Sequence, residues 1–497
     1  MDILVQNGSN LSSILTYCFV LWITCFIYKV LIKPFFSPLR RIPGPGYHNP
    51  IYGNVREAMQ GEAMETSTKW VKKYGDIVRY YHLLGRERVL IACPEGLKRM
   101  LVTNAKNYVR TFPGTSTVSR LGGQGILAVD GDYHRQQRKI FHHALFGEAV
   151  LNMVPVFQTK CQQVINKWTQ QLKSHCEGCV VDAQLDLTNM ALDVVSQCAF
   201  SYNLNSISDP DNENVKALGF VTSVPSVSFQ NTIPILNRIP TAYNKTYEKM
   251  VKVADDLVNN IISERQRNTD SDNPENDILA LLLKAHDPET GQTFSDKELH
   301  DHIISFLIAG HETTAKAMSW ALYMIAKHED IQEKAYKEAV QVLPPREEKI
   351  TWEYVDRLQY INCIIKETLR LYPTVPSANR KAVNDDKIGE YLIPAGTTVT
   401  YHVGALMRNA RYWPEPEKFM PERFQDPEAV KPFTFLPFIT GPHMCLGHKF
   451  AMLEMRLVLA MLLRDFKITT VPNMVFKRKT KVVMVADPPI KVHIASR

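Results

Sequence analysis

Residues 295–327 read as one uninterrupted helix of roughly 33 residues, which at ~1.5 Å per residue runs about 50 Å, the width of a whole domain. Ser295 with Glu298 three residues on makes a capping box. Apolar residues then recur through Ile303, Ile304, Leu307 and Ile308 toward Leu322 and Ile325. A chain holding such a rod has to wrap its other elements round it. Midway along, Ala309-Gly310-His311-Glu312-Thr313-Thr314 departs from what a buried helix prefers. Glycine, a carboxylate and β-branched hydroxyl residues break local rules in the way functional sites do. Gly310 removes bulk, so a flat group could approach the backbone. Thr313 can donate to a carbonyl one turn back, and Glu312 beside it could relay protons. His311-Glu312 also begins the zinc pattern His-Glu-x-x-His, but Ala315 occupies the place of the second ligand. Taken alone, the segment suits a kinked structural helix equally well.

Near the other end, Phe438-Ile439-Thr440-Gly441-Pro442-His443-Met444-Cys445-Leu446-Gly447 is a glycine-punctuated loop that runs into an apolar-periodic helix, residues 449–463. A cysteine just ahead of a helix has its thiolate stabilised by the helix dipole and by free amide donors. Gly441 and Gly447 allow close approach of the backbone, and Phe438 can shield the sulfur from water. Such a thiolate suits an iron ligand. A buried structural cysteine is the bland reading, and it leaves the glycines, the phenylalanine and the histidine unexplained. The nine cysteines (18, 25, 93, 161, 176, 179, 198, 363, 445) are odd in number and show no framework spacing, so they read as free thiols on the reducing side of a membrane. Cys176-x-x-Cys179 lacks a second ligand pair and reads as a loop.

That membrane is implied by the first forty residues. Residues 11–28 carry no charge, and Val30, Leu31 and Ile32 extend the run to ~33 Å of helix, about a bilayer core. Lys29, Lys33, Arg40 and Arg41 follow, while Asp2 is the only charged side chain ahead, which puts the N-terminus in the lumen. A cleaved signal is disfavoured, since neither a basic n-region nor a small-residue cleavage site is present. The sequons at Asn7 and Asn10 would be lumenal and too close to the membrane for modification. Arg40-Arg41-Ile42-Pro43-Gly44-Pro45-Gly46 is a stiff, non-helical connector. Residues 77–83 and 88–92, joined around Gly85, form a hairpin signal, and from Pro94 helical periodicity dominates. Residues 268–277 are a polar surface connection. The expected organisation is an anchor at 1–33, a hinge at 34–48 and one domain at 49–497, mainly α with a small β-sheet region (α+β). With 45% apolar and 22% charged residues, disorder and fibrous repeats are excluded. The net charge of +7 suits an acidic partner or a membrane surface, and without a clustered basic face no nucleic-acid partner is expected.

Together these residues resemble the cytochrome P450 family, haem-thiolate monooxygenases, over essentially the whole chain. The resemblance implies that fold, an N-terminal transmembrane helix and a haem b (iron protoporphyrin IX) whose axial ligand is Cys445. His443, where arginine is more usual, would donate to a haem propionate. Phe438 and Gly447 belong to the same cofactor loop. Glu312 and Thr313 take the proton-delivery role. Glu367-Thr368-Leu369-Arg370, on a helix expected to begin near Tyr354, joins with Arg423 of Pro421-Glu422-Arg423-Phe424 in a Glu–Arg–Arg network. Elsewhere that would read as a surface i,i+3 pair. Arg380 matches a propionate-binding arginine. Gly131-Asp132-Tyr133-His134-Arg135-Gln136-Gln137-Arg138 matches the propionate helix, with Arg138 in the arginine place and His134 replacing the usual tryptophan. That stretch resembles fungal microsomal members.

The activity so implied is insertion of one oxygen atom from O2 into a C–H bond or double bond of a lipophilic molecule: a terpenoid, polyketide, steroid or fatty acid of specialised metabolism. NADPH supplies electrons through a P450 reductase, with cytochrome b5 as a second donor, at the endoplasmic reticulum membrane. The reductase's acidic face would meet Arg138, Lys139 and Lys449. Ala309 stands where the branch that esterifies its haem carries glutamate, so no covalent haem is expected. The substrate would line up against residues 111–127, 220–240, 306–309 and 375–378. A haem-thiolate isomerase or peroxygenase needs no proton relay, which Glu312 and Thr313 provide. A dehydrogenase reading of Gly123-Gln124-Gly125-Ile126-Leu127-Ala128 fails because no helix opens after it. A non-catalytic haem sensor would have no use for the relay. His142 and His143 read as packing or surface residues.

Overall fold

A computed structural model describes residues 16, 17, 20, 21, 24, 27–111, 123–145, 147–174, 178–225, 227–267, 277–285 and 293–497. The sequons, Cys18, Cys25, Cys176, most of residues 11–28 and most of 268–277 lie outside them. Among the described residues no helix is long and apolar enough to cross a membrane. The connector is less uniform than its prolines imply: Pro38–Arg41 makes a 3-10 turn capped by Ser37, and residues 42–49 are neither helix nor strand.

The helices that build the site are α1 (Gly131–Leu145), α2 (Val154–Lys173), α3 (Ala183–Phe200), α4 (Glu213–Thr222), α5 (Ala242–Arg267), α6 (Asp296–Lys327), α7 (Glu329–Val342), α8 (Gln359–Leu371) and α9 (His448–Asp465). The capping box at α6 forms as expected: Ser295 Oγ accepts from Glu298 N, while Glu298 Oε2 accepts from Ser295 N at 2.9 Å. Most of α6 is buried, with α3 packed along it. The two halves of α6 enter different apolar clusters. Leu299 to Ile308 pack with α1, α3, α4 and α5, whereas Ala315 to Ile325 pack with α2, α3, α7, α8 and α9. The expected helix from Tyr354 is in fact two: Trp352–Asp356 ends before α8 begins.

A five-stranded sheet is built from β1 (Ile77–Tyr81), β2 (Glu87–Ile91), β3 (Tyr108–Arg110), β4 (Ala378–Ala382) and β5 (Thr398–Tyr401), in the order β1-β2-β5-β4-β3, with an apolar cluster of its own. The hairpin signal becomes β1 against β2, with Arg79 opposite Val89. β3 and β4 set Arg110 directly opposite Arg380.

Candidate active site

The loop ahead of α9 is closed by its own backbone. Cys445 N donates to the Phe438 carbonyl at 3.0 Å and Met444 N to Gly441 O at 3.0 Å. Gly441 is there for packing, since with φ at +76° a Cβ would lie 2.0 Å from the Leu101 carbonyl oxygen. Around Gly447 a Cβ would meet nothing within 4 Å. Leu446 packs on the cluster that holds Ile304, Leu307 and Ile308, so the loop faces the middle of α6. The Cys445 side chain is accessible though ringed by protein. Burial pushes its thiol above the ordinary value, while the Gly447 N–H and the Arg138 charge pull it down. Among the six described cysteines, none disulfide-bonded, the other five are buried.

Beside the thiol lies a cluster of positive groups. Arg110 senses both Arg138 and Arg380 electrostatically, and His134, His443 and a single carboxylate, Asp130, interact with the same arginines. His443 does not wait free for a propionate: its Nε2 donates to Asp130 at 2.8 Å. Its Nδ1 and the Nε2 of His134 are buried without a protein partner. The two rings pack at 4.3 Å. Burial lowers His134 to about 3, and burial also lowers His443. Burial and then Arg380 lower Arg110 to about 10. Two guanidiniums placed opposite each other on neighbouring strands repel. That arrangement, with two orphaned buried ring nitrogens, fits a dianionic group such as the propionate edge of haem. The sequence reading missed Arg110 and Asp130. Arg110 also donates to the carbonyls of Ile126 (2.7 Å) and Leu127 (2.9 Å), fixing the loop that leads into α1.

On α6, Phe306, Ala309, Gly310 and Thr313 are partly accessible where most neighbours are buried, a stripe at i, i+3, i+4 and i+7. It lies at the seam between the two apolar clusters. Thr313 Oγ1 donates to the Ala309 carbonyl at 2.7 Å, one turn back. Gly310 is corrected: a Cβ would come 2.6 Å from Val195 Cγ2, so the glycine admits α3 rather than a flat group. Glu312 is buried off the stripe. It pairs with Lys316 at 3.3 Å, meets His311 Nε2 at 3.6 Å and accepts from Thr222 Oγ1 of α4 at 3.2 Å. Despite burial, His311 and Lys316 hold its carboxyl well below the usual range.

On α8, Glu367 and Arg370 are fully buried and bidentate (Nε–Oε2 2.7 Å, Nη2–Oε1 2.8 Å), with Arg423 Nε at 3.3 Å from Oε1. A surface pair is therefore ruled out. Arg380 is buried over the Tyr401 ring. Lys139 and Lys449 are exposed, whereas Arg138 is half-buried within electrostatic reach of Cys445. A cavity of about 420 Å³ at the far end of α6 gathers none of these residues. Its Arg408 and Arg478 are already paired with Glu417 and Glu62.

A family model described as Cytochrome P450 matches residues 43–494. Cytochrome P450 monooxygenase 128 of Postia placenta is 27% identical over 490 residues, covering 90% of this chain and 89% of that protein. Bifunctional cytochrome P450/NADPH--P450 reductase 2 of Bacillus subtilis is 34% identical over 313 residues, covering 62% of this chain and 28% of that protein. Among solved structures, the cytochrome P450DA heme domain superposes with a TM-score of 0.80 at 25% identity, covering 92% of this chain and 98% of that one. Matched along nearly its whole length in both sequence and fold, the chain belongs to the cytochrome P450 family of monooxygenases.

Proposed function

We propose that this P450 inserts one oxygen atom from O2 into a C–H bond or double bond of a lipophilic small molecule of specialised metabolism, a terpenoid, polyketide, steroid or fatty acid. The observation that carries the reading is an accessible thiol at a helix start, beside a cationic cluster with two orphaned ring nitrogens. Haem b held through Cys445 would supply the site at which dioxygen is activated. Arg110, Arg138, Arg380, His134 and His443 would hold its propionates, and Phe438 would cover the loop. Phe306 and Ala309 give the substrate an apolar face and keep water from it. Thr313 holds its hydroxyl proton on the Ala309 carbonyl and can turn it toward that face. Glu312, ionised against Lys316, takes up a proton from the α4 side and returns it to Thr313 after leaving its partner.

NADPH enters through a separate reductase, as supported by the fused reductase in the name of the Bacillus subtilis relative. Lys139 and Lys449 suit its acidic face, with cytochrome b5 as a second donor. The apolar run at 11–28 anchors the protein in the endoplasmic reticulum membrane, N-terminus in the lumen. Deleting residues 1–33 should move a substantial fraction to the soluble phase on fractionation, and complete retention would contradict the anchor. Cys445→Ala should abolish the thiolate-type Soret band of the reduced carbonyl complex. A variant that keeps that band ends the ligand assignment.

A further inference from the structure

We propose that Asp255, His300 and Asp301 form a positioning device that fastens α5 and the loop 123–130 to the first turns of α6, and thereby governs how substrate is admitted to the face of Phe306, Ala309 and Thr313. The proposal rests on the reading of that stripe as the substrate face.

Asp301 is buried, and its Oδ2 accepts from Gln124 N at 2.7 Å. The glycines on either side have no room for side chains: a Cβ on Gly123 would lie 2.2 Å from Asp301 Oδ2, and one on Gly125 2.3 Å from the Asp301 carbonyl oxygen. The Gly-Gln-Gly run that resembled a dinucleotide fingerprint is thus shaped to dock on one aspartate. Ser305 Oγ closes the same turn on Asp301 O at 2.7 Å. Next to it, His300 bridges outward, with Nδ1 3.5 Å from Asp301 and Nε2 3.2 Å from Asp255 on α5. Hydrogen bonds to Asp255 and then Asp301 raise His300 to about 9, so both contacts are ionic at neutral pH.

The position of the triad argues for control rather than core stability. Asp255 is 38% and His300 16% accessible, so this half of the triad lies at the rim, and neither residue belongs to the two apolar clusters. Asp301 and Phe306 are one and a half turns apart on α6. Ile126 of that loop belongs to the apolar cluster against which Phe306 packs, so releasing Gln124 from Asp301 loosens a segment tied to the substrate face.

The test uses the full, haem-loaded chain with His300→Gln, Asp301→Asn and Asp255→Asn. Amide hydrogen exchange of residues 123–130 should accelerate about tenfold in the first two, and that of α5 in the first and third, with residues 315–325 unchanged. The association rate of imidazole, followed by the Soret shift, should rise about threefold or more. Unchanged exchange at 123–130 in folded variants overturns the proposal, as does loosened exchange with an unchanged imidazole rate. Should Asp301→Asn fail to fold, the two rim variants carry the test. Phe306→Ala separates the two readings. If it leaves the imidazole rate unaltered, the stripe reading falls and the admission claim with it; if it alters the rate while the triad variants do not, the triad alone falls.

Discussion

Replacing Glu367 by Gln should destabilise the protein far more than a helix-surface i,i+3 pair would allow. Four donors converge on the carboxylate: Arg370 Nε (2.7 Å) and Nη2 (2.8 Å), Met420 N (2.9 Å) and Arg423 Nε (3.3 Å). Neither Glu367 nor Arg370 has an exposed side chain. Gln keeps the shape, removes the charge and points an NH2 group at guanidinium donors, leaving a buried cation uncompensated. Breaking a buried pair in this way costs ~3–5 kcal/mol. An unfolding entropy of ~2.1 cal/mol/K per residue over 497 residues gives roughly 1 kcal/mol/K. The midpoint of thermal unfolding should therefore fall by about 3–5 °C. Arg370→Met should be worse, because Arg370 also donates to the carbonyls of Met407 (2.9 Å), Pro416 (2.7 Å) and Lys418 (3.2 Å). Each carbonyl left without a partner adds ~1 kcal/mol or more. The double variant should lose less than the sum of the two, since the two fully buried charges leave together and only the partly accessible Arg423 is left without its carboxylate. Calorimetry of the haem-loaded protein at pH 7 decides the matter. A fall under about 1 °C for Glu367→Gln, or an Arg370→Met no worse than it, would refute the reasoning.

Two further outcomes are expected. Thr313→Ala should retain haem and divert electrons from product to peroxide, read as the ratio of peroxide to NADPH consumed; an unaltered ratio removes Thr313 from proton delivery. His302 is fully buried in T-shaped contact with Phe141 and Phe294, both its ring nitrogens are without partners, and burial lowers it to about 4. The unfolded chain binds this proton below about pH 6.5 and the folded one only below about 4. Stability is therefore lost as the pH falls through that window, by a few (~3) kcal/mol. His302→Phe should flatten that part of a denaturation profile, and an unchanged slope between pH 6.5 and 4 would contradict it.

What could be read from the sequence was what one segment states by itself. The capping box and apolar period of α6, the hairpin, and the loop running into α9 are local patterns, and each element formed where its residues placed it. Boundaries set by packing were not legible. The break between Trp352–Asp356 and α8 is one case. Gly310 is another, since its need for space comes from Val195, far away in the chain. The cationic cluster was half visible. Arg138, Arg380 and His443 stood in motifs, but Arg110 is one residue of a three-residue strand. Its meaning appears only when pairing sets it against Arg380. A like-charge pair of that kind is the signal, and it exists only once the sheet is formed.

The same distinction explains why a charged residue is tolerated in the middle of the longest helix. Residues 309–314 fall between the cluster that takes the first half of α6 and the one that takes the second, so apolar packing places its weakest demand there. One side of this seam stays accessible at Ala309 and Thr313. On the other, Glu312 is offset by His311, by Lys316, which itself donates to Thr188 Oγ1 at 2.8 Å, and by Thr222. A carboxylate buried within either cluster would have stayed protonated and inert, as burial alone drives Glu454 on α9, whose two oxygens have no partner. At the seam it is ionised and one peptide bond from a hydroxyl that faces the open side. Removing Lys316 should therefore shift Glu312 part of the way toward the state of Glu454, with His311 holding the remainder, which makes that lysine one of the groups that keep a proton route open.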